Sequence, residues 1–90
     1  MLHELKFKGE ELCHLVYSGQ KPFEIRKNDR DYKTGDSIKP ISIDEDGNRI
    51  HHRIDNCIYE ITYVVASWPE ALRDDYCVFG LRLVSDSNED

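Results

Sequence analysis

Between Gly19 and Arg26 the chain reads GQKPFEIR, and three side chains in it could do chemistry together: the Lys21 ammonium, the Glu24 carboxylate and the Arg26 guanidinium. Alternation along Pro22 to Asn28 predicts a half-buried strand, with Phe23 and Ile25 on one face and Glu24 and Arg26 on the other. On this reading the polar face is available for contacts, and Lys21 joins it where the preceding helix meets the sheet. A flexible cation, an acceptor and a planar five-donor fork suit a nucleotide. Lys or Arg would hold phosphate, and Glu would accept from an exocyclic amine or a ribose hydroxyl. The same spacing also fits a surface ion pair between Glu24 and Arg26, worth only ~0 to 1 kcal/mol.

Arg30 extends the cationic set, and Tyr32 and Trp68 are the aromatics best placed in polar loops to stack on bases. Other catalytic signatures are missing: there is no GxSxG elbow, no GxxxxGK[ST] loop and no HExxH helix. His51 and His52 are adjacent, so on a strand they would diverge rather than chelate one metal. Cys13 and His14 would likewise diverge on a helix. Cys13, Cys57 and Cys77 form no CxxC pair, which predicts three reduced, mostly buried thiols rather than a disulfide framework or a zinc knuckle. No metal and no cofactor is expected.

The elements that must position these groups are short. Leu2 to Phe7 reads as a strand. Gly9 breaks it, and Leu12, Leu15 and Val16 then recur at helical spacing until Ser18 and Gly19 end the helix. After the signature strand, NDRDYKTGD is turn-rich. Asp36 to Ile43 predicts a strand with Ile41 and Ile43 on one face and Pro40 marking an edge or a bulge. DEDGN predicts a tight hairpin into a further strand from Ile50, bent near Asp55 and Asn56. Cys57 to Val65 is the most β-prone segment and, with apolar residues on both faces, predicts a central strand whose Tyr59 and Tyr63 are core. Ser67 to Asp75 predicts a loop with one helical turn behind Pro69. Tyr76 to Val84 closes the fold, with Cys77, Phe79, Leu81 and Leu83 inward and Gly80 allowing a bulge or close approach.

The expected fold is therefore α+β: a small mixed β-barrel of five to six strands, one N-terminal helix and a short helical turn before the last strand. Ninety residues support one core. The expected division is a single domain over 1–84 and a frayed acidic tail over 85–90. No apolar run approaches the ~20 residues of a membrane span, and the charged start lacks a signal peptide's apolar stretch, so a cytoplasmic protein is expected.

Net charge is −6, which opposes nucleic-acid binding in general, but its distribution is uneven. Residues 21–53 carry eight basic and seven acidic groups, whereas residues 54–90 carry two and eight. Any nucleic-acid footprint is thereby confined to the Lys21 to Lys33 side. The acidic last third could instead attract a basic protein partner.

GQKPFEIR, through Gly19, Lys21, Glu24 and Arg26, resembles the GxKxxExR signature of the ASCH superfamily, whose members have a PUA-like barrel. HELKF at 3–7, GQKPFEIRKNDRDYKTGDSI at 19–38 and YCVFGLRL at 76–83 are similar to a small subgroup found in bacteria and their phages. The resemblance implies RNA or nucleotide binding in a cleft between barrel and first helix, with Lys21, Glu24 and Arg26 facing the ligand. A related branch resembles amidohydrolases that deacetylate modified cytidine with a lysine, a threonine and a glutamate. Here Lys21 matches, but Glu24 stands where the threonine would be, so the hydroxyl nucleophile is absent. Three readings follow: a binding module, a small hydrolase of a modified nucleoside or of RNA using Lys21 and Glu24, and a bacterial or phage accessory domain that binds protein.

Overall fold

The computed structural model describes residues 1–89. β1 (Leu2–Lys8) alternates strictly, with His3, Leu5 and Phe7 buried. Gly9 then turns the chain at a φ of 94°, a region that favours glycine, and its carbonyl accepts the first helical hydrogen bond from the Cys13 N–H at 3.1 Å. α1 (Glu10–Tyr17) buries Cys13 and Val16 against the sheet, while Leu12 and Leu15 are only partly covered. The helix closes as expected, with Gly19 at φ 84° and its N–H on the Val16 carbonyl. The Lys21 N–H reaches back to the Leu15 carbonyl at 2.9 Å, so the helix end itself fixes where Lys21 leaves.

The remaining strands are β2 (Phe23–Lys27), β3 (Ser37–Ile43), β4 (Cys57–Val65) and β5 (Tyr76–Asp86). They form one five-stranded sheet in the order β1-β3-β4-β5-β2, curled into a half-barrel. β1 runs parallel to β3, and every other pairing is antiparallel, which makes the sheet mixed. β4 is central, as its two-faced apolar pattern predicts. Pro40 faces Leu5 of β1 after the short β3–β4 pairing has ended at Ile38, so its missing N–H breaks no bond to β4. The inner face of β3 is Ile38, Pro40 and Ser42, with Ile43 also buried and Ile41 only partly so.

Several expectations need correction. The DEDGN turn forms, with the Asp44 carboxylate accepting from the N–H groups of Asp46 and Asn48, but no strand follows it. His51 takes a positive φ of 56°, and Arg53–Asn56 forms a 3-10 turn that buries Ile54, which is the bend expected near Asp55. Tyr63 is exposed rather than core, because a register shift between Ile61 and Val64 sets Val64 opposite Phe79 and turns Tyr63 outward. Leu83 is exposed as well, at the border of an open cleft. Before β5 the expectation holds, with the carbonyl of Trp68 accepting from Ala71 and Leu72 in a single helical turn. The last strand runs to Asp86, and the Asn88 side chain bonds the Arg53 carbonyl at 2.8 Å, so residues 85–88 are anchored where a frayed tail was expected. Asp90 lies outside the described residues. Among the described residues, no helix is long and apolar enough to cross a membrane.

Candidate functional site

β2 sits at one edge of the sheet and pairs only with β5, setting Glu24 opposite Phe79 and Arg26 opposite Cys77. Directly paired residues share a face, and Phe79 and Cys77 are buried in the core. The register therefore turns Glu24 and Arg26 into the half-barrel and leaves Phe23 and Ile25 outside, 40% and 53% exposed. This reverses the expectation of a polar face open to solvent. Glu24 is only 3% exposed.

A buried carboxylate needs partners, and both oxygens have them. Lys21 Nζ lies 2.6 Å from Glu24 Oε1, and Arg26 Nε donates to Glu24 Oε2 at 2.8 Å. Arg26 extends the chain of contacts: its Nη2 donates to the Lys6 carbonyl of β1 at 2.8 Å, and its guanidinium lies 5.0 Å from the centre of the Phe7 ring. Arg30 does the same one step along, its Nη1 donating to the Glu4 carbonyl at 2.7 Å. β1 and β2 are the two edges of the sheet and do not pair as strands. Two guanidinium groups thus bridge the seam that backbone hydrogen bonds leave open, each charge-assisted bond contributing on the order of 1.5 to 3 kcal/mol when shielded from water.

Two hollows open on either side of Glu24. One, of about 220 Å³, lies beneath the C-terminal turn of α1 and is lined by Lys21, Pro22, Tyr59, Leu81 and Leu83 among others. The other, of about 160 Å³, is lined by Leu5, Arg26, Lys27, Asp29, Arg30 and Tyr32. The structure thus brings Lys21, Glu24 and Arg26 together, as the spacing predicts, and groups Arg26 with Arg30 on the far side. Tyr32 is a core residue and not an exposed stacking platform. It is 6% exposed, with its ring 4.8 Å from both the His3 and the Phe79 ring centres. Burial pushes its hydroxyl above the usual phenol range. Trp68 is exposed, beside a separate hollow lined by Pro69 and residues 71–75 that none of the signature residues enters.

Sequence reasoning missed two features. The Tyr59 hydroxyl, on the inner face of β4, is fully buried with only the weakly hydrogen-bonding Cys57 thiol beside it, and Tyr59 lines the 220 Å³ cleft. At the start of β3, Asp36 accepts from the Met1 ammonium at 3.2 Å and the Lys33 N–H at 3.1 Å, and lies 2.8 Å from His3 Nε2. The His3 hydrogen bond, chiefly, holds the Asp36 carboxyl below its ordinary range. The second had a signal in retrospect, since HELKF places a histidine on the inner, apolar side of β1, where it needs an acceptor.

The three cysteines are free and buried. Burial pushes the Cys13 and Cys57 thiols up to about 11, so neither supplies a thiolate at neutral pH. Among the described residues no cluster of three His, Cys, Asp or Glu side chains is arranged to hold a metal ion. A family model described as a domain of unknown function, DUF3850, matches residues 2–81. No curated protein matches the chain. With the match covering nearly the whole chain, the protein belongs to the DUF3850 family.

Proposed function

We propose that this DUF3850 member is a non-catalytic nucleotide- or RNA-binding domain of the PUA-like, ASCH type, which takes its ligand along the β2 edge. The observation that carries the reading is the gathering of Lys21, Arg26, Lys27 and Arg30 at the rims of two hollows on one side of an otherwise acidic chain. Glu24 holds the Lys21 and Arg26 head groups in place without the entropy of a loop, and each cation keeps donors that Glu24 does not use. Engagement of both Glu24 oxygens favours binding over hydrolysis, since a catalytic base must have an oxygen open to the substrate.

Fluorescence anisotropy with a labelled single-stranded RNA at low salt tests this. Binding is expected to weaken as salt rises, with a slope of about −0.7 per phosphate contact. Lys21→Gln and Arg30→Gln should each weaken it and flatten the slope, with the folded state confirmed by melting. Indifference of the wild-type protein to RNA at low salt rejects the reading.

A second reading, a protein-docking domain, is favoured by the exposed Phe23 and Ile25 on the outer face of β2 and by exposed Tyr63. Its signature would be loss of a protein partner, insensitive to nuclease, on Ile25→Asp.

A further inference from the structure

The hollow of about 160 Å³ beside the β1–β2 seam is lined by three cations, Arg26, Lys27 and Arg30, against the single carboxylate of Asp29. The rest of its lining is core: Leu5 is 1% and Tyr32 6% exposed. The Tyr32 phenol stands within the field of both guanidinium groups, since burial raises its pKa while Arg30 and then Arg26 pull it back. Charge set against an apolar wall is screened less by water than charge on an open face, so an anion gains more there.

Among the described residues, Arg26 commits two of its five N–H donors, to Glu24 Oε2 and to the Lys6 carbonyl, and keeps three. Arg30 commits one, to the Glu4 carbonyl, and keeps four. These anchors also set a spacing. Glu4 and Lys6 lie two residues apart on β1, so their carbonyls, and the nitrogens bonded to them, stand roughly 7 Å apart. A tetrahedral oxyanion that accepts from both sides at ~2.8 Å per contact bridges a gap of that order. With both head groups already tied to β1, little side-chain entropy remains to be lost on binding.

We propose that this hollow seats the terminal phosphate monoester of a nucleotide or an RNA chain between Arg26 and Arg30. The inference rests on the nucleotide reading and adds that the recognised feature is a chain end. Charge favours an end over a phosphodiester within a strand. A monoester carries about −1.5 to −2 near neutral pH, which matches the excess of two positive charges in the lining, whereas a diester carries one negative charge. Glu24, the other carboxylate at Arg26, is balanced by Lys21. Size favours the same choice: the volume equals about five waters at ~30 Å³ each, enough for one phosphate group but not for a nucleoside on either side of it.

The test is fluorescence anisotropy of the full chain with one internally labelled single-stranded RNA in three forms: a 5′-phosphate, a 3′-phosphate, and hydroxyls at both ends. At low salt one phosphorylated form should bind tenfold or more tighter than the hydroxyl-ended form. Arg30→Gln should cut that preference to twofold or less. Lys21→Gln, on the other side of Glu24, should weaken all three forms and keep the preference. Unlabelled adenosine 5′- and 3′-monophosphates identify the source: the one whose phosphate matches the preferred end should displace the RNA, and adenosine should not. RNA binding that ignores the end groups, or a preference that survives Arg30→Gln, overturns the phosphate hollow and leaves the RNA reading standing. If the wild-type protein binds none of the three RNAs, both fall.

Discussion

The two hollows are bordered by the two cations of Glu24, Lys21 at one and Arg26 at the other, and differ in what their walls have left to give. On the Arg26 side each guanidinium gives part of its donor set to the fold, Arg26 to the Lys6 carbonyl and Arg30 to the Glu4 carbonyl. On the Lys21 side the walls mix apolar Pro22, Leu81 and Leu83 with Tyr17, Ser18 and Lys21, and the Tyr59 hydroxyl is sealed behind them beside Cys57. A density of charge therefore marks where the half-barrel is held shut.

The sharpest way to break this contrast is Glu24→Gln, which removes the one anion shared by both sides. With Glu24 3% exposed and its cations about a quarter exposed, urea denaturation should show a loss of about 2 to 4 kcal/mol, somewhat below the ~3 to 5 of a fully buried pair. A loss under ~1 kcal/mol would return Glu24 to the status of a surface partner.

Next in size, Arg26→Gln should cost about 1.5 to 3 kcal/mol by freeing the seam, and Arg30→Gln, at a more exposed position, less than about 1. Because both side chains close one gap, the double variant should lose more than the sum of the two. Strict additivity in the same urea assay would mean that the two bridges act independently.

A smaller and pH-dependent effect lies outside both hollows. The folded Asp36 carboxyl sits below its ordinary value, so the ionised form is favoured by folding. Its contribution is fully present above the unfolded value of about 3.9 and is lost as pH falls through the lower folded value. Asp55 behaves likewise: burial pushes it up, but hydrogen bonds from Ser42 and Arg49 outweigh that and hold it down. Urea midpoints measured from pH 6 to pH 2 should therefore fall less steeply for Asp36→Asn than for wild type, whereas Arg30→Gln should shift the curve without changing its shape.

The smallest change is expected at the exposed aromatics. Trp68→Ala and Tyr63→Ala should each move the midpoint by no more than about 0.5 kcal/mol, since neither side chain is packed. A larger loss at Tyr63 would show that the outer face of β4 is covered in solution.

Local signals carried much of the architecture. The bounds of β4 follow from its β-branched and aromatic run, interrupted only by Glu60 after Cys57 opens it, and the end of α1 follows from Gly19. The meeting of Lys21, Glu24 and Arg26 was likewise legible, because three residues on a helix exit and a strand have few other ways to lie. What alternation could not say was which face of β2 turns inward. That is decided by register against Phe79, more than fifty residues away, and the apolar pair Phe23 and Ile25 argued for the wrong side. Tyr63 escaped for a related reason, since a one-residue bulge reverses parity without leaving a mark in composition. The Arg30 bridge depends on the backbone of a distant strand.

β2 has no strand neighbour other than β5, the last strand in the chain. A ribosome that has released residues 1–70 has therefore made every member of the Lys21–Glu24–Arg26 cluster but not the strand that pairs with β2. Until residues 76–80 emerge, Glu24 stays hydrated and the two edges of the sheet have nothing to bring them together. The cluster is thus completed only after β5 has emerged, which makes its formation a marker that the sheet has closed.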